Sequence, residues 1–199
     1  MVKALDEVQS AESSPRELVK HRITADEYER MGDAGVFPPD DRLELIEGGI
    51  YELPPIGSPH AARVKILSAL FHRLFGGALI VSIQDPLRLN DFSEPQPDVA
   101  LLRWRDDFYS GGHPTPADVL LVVEVADTTV ETDRKVKIPL YARAGIPEAW
   151  IVNIPEERIE IYSDPEGESY GQIKRFGRGR RARSQTLEGL SVGVDEVLG

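Results

Sequence analysis

The chain has 199 residues, of which 41% are hydrophobic and 29% charged, with no cysteine and a formal net charge of −11. That length and composition predict one globular domain with enough apolar residues for a core. The absence of cysteine excludes disulfides and thiolate metal sites, and four scattered histidines argue against structural zinc, which leaves hard oxygen ligands suited to Mg²⁺ or Mn²⁺.

Residues 1–15 are small and polar, predicting a disordered N-terminal segment without the apolar stretch of a signal peptide. The folded domain is read as residues 16–199. Thr24-Ala25-Asp26-Glu27 fits a capping box before a short helix, Ala25 to about Met31. Arg42–Ile46 and Ile50–Leu53 flank Glu47-Gly48-Gly49 and predict a β-hairpin. Ser58 as N-cap and Pro59 at the first helical position predict a helix to Phe75, with Ala62, Ile66, Ala69, Leu70 and Leu74 on its buried face. Strands are predicted at Ala78–Ile83, Leu87–Leu89 and Pro97–Trp104, followed by a loop rich in Gly and Pro.

The stretch Ala117–Ile154 organises the rest. Val119–Val125 is a β-branched run, interrupted by Glu124, that reads as a strand covered on both faces. Pro139 belongs in a helix's first turns, so a helix is predicted to start near Lys135 and to end at Gly145. Glu148–Ile154 is a further strand. Arg158–Tyr162 and Tyr170–Phe176 form a hairpin around Asp164–Gly167, and Ser184–Gly199 gives one short strand and a turn. There is no internal repeat. No apolar run approaches the roughly 18 residues of a membrane span, so a cytoplasmic protein is expected. One mixed sheet with helices on its faces predicts an α/β or α+β domain.

Two carboxylates stand out. An ionised Glu124 inside an apolar strand is costly unless a cation or several donors sit beside it. Asp98 opens the preceding strand. Two carboxylates facing one point repel unless a divalent cation neutralises them. Lys137, near its predicted helix start, opposes the helix dipole, so it is not there for helix stability; the plain alternative is an ion pair with Asp133 four residues back. Lys135 is the alternative cation. Glu44 alternates in its strand with Leu43 and Leu45, and His60 sits in the first turn of its helix, within reach of a phosphate or water. Lys174, Arg175, Arg178, Arg180, Arg181 and Arg183 put six positive charges into ten residues of an otherwise acidic chain. That run reads as a phosphate-contacting loop or as a solvated hairpin tip. Tyr141, Trp150 and Trp104 are read as core or interface packing.

Over residues 22–198 the sequence resembles the Uma2 family, formerly a domain of unknown function, within the PD-(D/E)XK restriction-endonuclease-like superfamily. The likeness rests on Thr24–Tyr28, Leu43–Gly48, Ser58-Pro59-His60, Pro97-Asp98-Val99, Val123-Glu124-Val125, Asp133 with Lys137, and Tyr141–Val152. It implies a restriction-endonuclease-like mixed sheet flanked by helices, with a site of Asp98, Glu124 and Lys137, joined by Glu44. Two departures matter. The superfamily's usual Lys stands two residues after the Glu, where this chain has Ala126. Ser-Pro often follows the Glu, where this chain has Asp127-Thr128.

The expectation is a Mg²⁺- or Mn²⁺-dependent endonuclease in which Asp98 and Glu124 hold the metal and His60, Lys174, Arg175 and Arg178 contact nucleic acid, DNA first, with a homodimer as a further possibility. The acidic balance opposes attraction of a phosphate backbone. It keeps open a non-catalytic binding or assembly module on the same fold, or a hydrolase of small phosphodiesters.

Overall fold

The computed structural model describes residues 18–38 and 40–199; the disordered segment expected over residues 1–15 lies outside them. Helix α1 (Ala25–Asp33) opens with a complete capping box. The Thr24 hydroxyl accepts the Glu27 N–H at 3.2 Å, and the Glu27 carboxylate accepts the Thr24 N–H at 2.8 Å. Strands β1 (Leu43–Ile46) and β2 (Gly49–Glu52) pair antiparallel, and Glu47 and Gly48 between them have φ of 51° and 80°. Two positive φ values in a two-residue turn match the twist of the flanking strands. Gly48 has a second reason to be glycine: a Cβ there would lie 2.6 Å from the Cβ of Arg22.

Helix α2 (Ser58–Phe75) stops at a left-handed Gly76 as its sequence suggests. Its start differs. Gly57 is the N-cap, and Ser58 is already helical. Its buried face also differs: Val64, Leu67, Leu70 and Phe71 are buried, while Ala69 and Leu74 are exposed. The helix is apolar on more than one side, and the stripe with the largest side chain takes the core. Phe71 meets Trp150 edge-on at 6.5 Å.

Six strands follow and form one sheet: β3 (Leu79–Ser82), β4 (Val99–Arg103), β5 (Val119–Ala126), β6 (Glu148–Asn153), β7 (Arg158–Glu166) and β8 (Ser169–Gly177), neighbours in that order. Only the β5–β6 pair is parallel. Leu87–Leu89, predicted as a strand, is instead a folded-back segment. The Leu87 N–H bonds the Pro95 carbonyl and the Leu89 N–H bonds the Ser93 carbonyl, so the apolar side chains are core but the backbone joins no ladder.

A parallel pair needs a crossover, and residues 130–143 supply it. Helix α3 (Val130–Thr132) runs into a π-helical turn, Asp133–Lys137, and on into α4 (Ile138–Arg143). The helical run therefore begins earlier than predicted, and Lys137 lies within it rather than at its N-terminus. The Ile138 N–H reaches back to the Asp133 carbonyl. A widened turn gives the Pro139 ring room and demands no N–H from it, so the helix continues. The chain ends in an antiparallel pair, β9 (Arg181–Arg183) and β10 (Ser191–Gly193), and in α5 (Val194–Leu198). Only a strand and a turn are predicted there, because five residues are too few for a helical period to register.

Side chains alternate along β5. Leu121, Val123 and Val125 pack with Trp150 against α2 and the C-terminal elements. Val122 and Ala126 pack with Ala100, Leu102 and Ile151 beneath Ile138, Leu140 and Tyr141. Both faces are covered, which is why the strand reads as a nearly unbroken apolar run. Among the described residues no helix is long and apolar enough to cross a membrane.

Candidate active site

The site grows from the β4–β5 register. Val99 pairs with Val123, and one further step sets Asp98 opposite Glu124, on the face covered by α4. Asp98 is tightly held. Its Oδ2 lies 2.8 Å from the Val125 N–H nitrogen and 2.9 Å from His60 Nε2, and its Oδ1 accepts from Gln84 Nε2 at 3.0 Å. Glu124 Oε1 accepts the Tyr141 hydroxyl at 2.5 Å and faces Lys137 Nζ at 3.3 Å. Lys137 Nζ also donates to Glu44 Oε1 at 2.9 Å, an oxygen that takes the Gln96 N–H at 2.8 Å as well. Asp133 accepts the Thr129 hydroxyl at 2.8 Å. Glu44, His60, Asp98, Glu124, Asp133 and Lys137 line one cavity of about 540 Å³.

Electrostatics follow from burial and crowding. Burial pushes the Glu124 carboxyl up to about 8; Lys137 opposes this, while Asp133, Asp98 and Glu44 add to it. Burial likewise raises Asp133. Burial pulls on Asp98 in the same direction, but its hydrogen bonds from His60, Val125 and Gln84 outweigh it and hold this carboxyl below its ordinary value. Burial disfavours the Lys137 ammonium, yet Glu124, Glu44 and Asp133 around it keep it firmly protonated. The cavity is thus an acidic recess with one captive cation.

Asp98 and Glu124 lie at adjacent strands, with an ammonium from the crossover helix facing Glu124. Residues 25–195 match the Uma2 family, described as "putative restriction endonuclease". The chain belongs to the Uma2 family. A crystal structure of "a putative nuclease belonging to DUF820" from Anabaena variabilis superposes with a TM-score of 0.67 at 14% sequence identity, covering 88% of this chain and 97% of that one. At that identity the likeness establishes the nuclease-like fold, a mixed sheet with flanking helices. No curated protein matches.

In this Uma2 chain the structure brings together Glu44, His60, Asp98, Glu124 and Lys137. Glu44, on a strand that by alternation alone could face solvent, is fully buried. Lys137 pairs with Glu44 and Glu124, while Asp133 turns to Thr129. Lys135 is exposed and pairs with Glu131 at 2.9 Å, away from the cavity lining. Ala126 is packed in the core on the face of Glu124, and Lys137 reaches that carboxylate from the helix instead.

The basic run is not brought to the cavity. Lys174 bonds Gln185, Arg175 stands 3.9 Å from Glu160, and Arg178 pairs with Glu157 at 2.8 Å and Asp195 at 3.3 Å. These residues sit on or after β8, the edge strand three places from β5. A charge run in sequence gives no information on which sheet edge will carry it. Sequence reasoning missed Gln84, Gln96 and the hydroxyl of Tyr141. Tyr141 follows Lys137 by four residues, the helical spacing that puts both on one face, so its signal was there. Gln84 adopts φ of 56° to deliver its amide to Asp98, a strained conformation for a non-glycine residue that no local pattern announces. Trp104, read as packing, is half exposed and stacks edge-on with Phe108 at 5.1 Å.

The donor set fits a hard divalent cation. Asp98 and Glu124 both line the cavity and stand opposite each other in the β4–β5 register. Among the described residues, every Glu124 hydrogen bond or ion pair uses Oε1, and the buried Glu44 Oε2 has no hydrogen-bond partner. Mg²⁺ is usually held by one or two carboxylates and retains several waters, which matches two protein ligands in an open recess.

Proposed function

We propose that this Uma2 protein is a metal-dependent endonuclease that hydrolyses phosphodiester bonds of nucleic acid, DNA in the first instance. The observation that carries the reading is the Lys137 ammonium held between Glu44 and Glu124, on the wall of the cavity that Asp98 also lines. Asp98 and Glu124 would hold Mg²⁺ or Mn²⁺, with the Val125 carbonyl as a further oxygen. A divalent ion there supplies a bound water of lowered pKa and stabilises charge on the phosphoryl oxygens.

The chain's own residues do the rest. An ammonium has three N–H donors. Glu44 takes one from Lys137 and Glu124 pairs with its charge at 3.3 Å, which leaves donor capacity for the attacking water or for a phosphoryl oxygen gaining charge. Glu44 acts through Lys137 and is a positioning residue. His60, Gln84 and the Val125 N–H fix the Asp98 carboxylate, so about one lone pair is left and it keeps one direction. Lys174, Arg175 and Arg178 would act only on a substrate long enough to reach the edge of the sheet. A homodimer would present two such sites to two strands.

The test is cleavage of supercoiled plasmid and of single-stranded DNA by purified protein with Mg²⁺ or Mn²⁺, and with EDTA. Metal-dependent cleavage is expected, and it is abolished in the Asp98→Ala/Lys137→Ala double variant. Undiminished cleavage by that variant overturns the assignment. The acidic cavity and the net charge of −11 favour a second reading, a binding module on a retained nuclease fold. Absence of any Mn²⁺ binding that Asp98→Ala removes in calorimetry, with a stable oligomer in solution, would select it.

A further inference from the structure

A second group of ligating side chains lies outside the cavity lining. Glu29 on α1, Glu94 between β3 and β4, and His113 in the loop after β4 each offer one ligand atom, all within 4.8 Å of one another. Glu94 is 2% exposed, and its buried Oε2 has no hydrogen-bond partner. A buried carboxylate oxygen without a donor is costly, and such atoms usually mark an unseen partner. The nearby Arg88 does not supply one. Its guanidinium turns to Glu29 at 3.2 Å and to Asp26. Burial, and then the Glu29 carboxylate, push the Glu94 carboxyl up to about 7.

We propose that Glu29, Glu94 and His113 form a binding site for a divalent transition ion, Zn²⁺ or Mn²⁺, separate from the cavity of Asp98 and Glu124. Two carboxylates and an imidazole suit these ions better than Mg²⁺ or Ca²⁺, which take oxygen alone. His113 is exposed, which gives the ion a way in. An ion here ties three segments distant in sequence. It also fixes the approach to the first site. The Glu94 N–H bonds the Leu45 carbonyl at 2.7 Å, beside Glu44, and Gln96, two residues on, bonds Glu44 itself. The role is structural: the ion anchors the segment that leads into Asp98 and β4.

The experiment is Zn²⁺ calorimetry and Co²⁺ absorption on the full-length Glu124→Gln variant, whose first site is disabled. One equivalent of Zn²⁺ is expected to bind, with visible Co²⁺ bands. Adding His113→Ala, an exposed substitution, should weaken Zn²⁺ at least tenfold and remove those bands. Adding Glu94→Gln should do the same, with circular dichroism confirming the fold. No stoichiometric Zn²⁺ binding in Glu124→Gln, or binding unchanged by His113→Ala, overturns the proposal. In that event Glu94 is satisfied by a proton or a water. Neither result decides whether Asp98 itself takes part in cleavage.

Discussion

The Lys137 ammonium stands 2.9 Å from Oε1 of Glu44, ninety-three positions earlier in the chain, and both side chains are buried. Removing one partner of a buried pair strands the other, at a cost of roughly 3–5 kcal/mol. Lys137→Met leaves Glu44, Glu124 and Asp133 facing one another without a cation. It should lower unfolding free energy by about that much at pH 8 in urea titrations. The double variant Glu44→Gln/Lys137→Met should recover part of the loss. Independent, additive effects of the two substitutions would show that the pair is not coupled.

Glu124 predicts a pH dependence with a definite sign. Its folded-state pKa, raised by burial to about 8, lies above the ordinary 4.5. The folded protein therefore binds more protons than the unfolded chain between those values. The contribution is complete below about pH 4.5 and is lost as pH rises through 8, with a slope of at most about 1.4 kcal/mol per pH unit. Glu94, raised to about 7, acts with the same sign in an overlapping window. Melting curves from pH 5 to 8.5 should therefore be compared with Glu124→Gln, which is expected to flatten the decline. Added Mg²⁺ should stabilise the wild type more at pH 8 than at pH 6, because it needs the carboxylate deprotonated. Equal pH slopes for wild type and Glu124→Gln would remove Glu124 as the cause.

Much of this was legible in the residues themselves. Alternation and β-branched runs located β4, β5 and β6, and an interrupted apolar run pointed to Glu124. The capping box at Thr24 and the glycine at position 76 marked helix limits through local chemistry alone. What was not legible depends on partners remote in sequence. Whether Glu44 faces solvent or core is decided by the Gln96 and Lys137 it meets, not by its own alternating strand. Which stripe of α2 is buried is decided by Trp150. The Pro139 rule placed a helix start at Lys135 because it allowed only an α-helical turn, whereas the chain widens into a π-turn and continues.

His60 should tune the affinity of the site for metal. Its Nε2 lies 2.9 Å from Asp98 Oδ2, and its buried Nδ1 has no hydrogen-bond partner. Outer partners that orient a ligating carboxylate are typically worth 10–100-fold in metal affinity or activity. His60→Ala is expected to weaken Mn²⁺ binding at the Asp98 site by about 10–100-fold in calorimetry. Rate at saturating Mn²⁺ should fall less than rate at limiting Mn²⁺. Unchanged Mn²⁺ affinity would assign His60 to packing alone.

Pro139 sets the aim of Lys137. A proline cannot donate a backbone hydrogen bond, and its ring crowds the carbonyl four residues back; the widened turn over Asp133–Lys137, closed by the Ile138 N–H on the Asp133 carbonyl, accommodates both. Pro139→Ala restores an N–H that favours bonding to the Lys135 carbonyl, as in a regular α-helix. Pulling the turn toward α geometry rotates Lys137 relative to α4 and its Tyr141, and loosens its contacts with Glu44 and Glu124. Alanine is also the better helix former by roughly 3 kcal/mol in a helix interior, so the helix itself should not suffer. The expected result is a melting temperature equal to or above that of the wild type, with metal-dependent cleavage reduced at least tenfold. Cleavage retained at full rate would mean that the ammonium finds its two carboxylates whichever way the turn is wound.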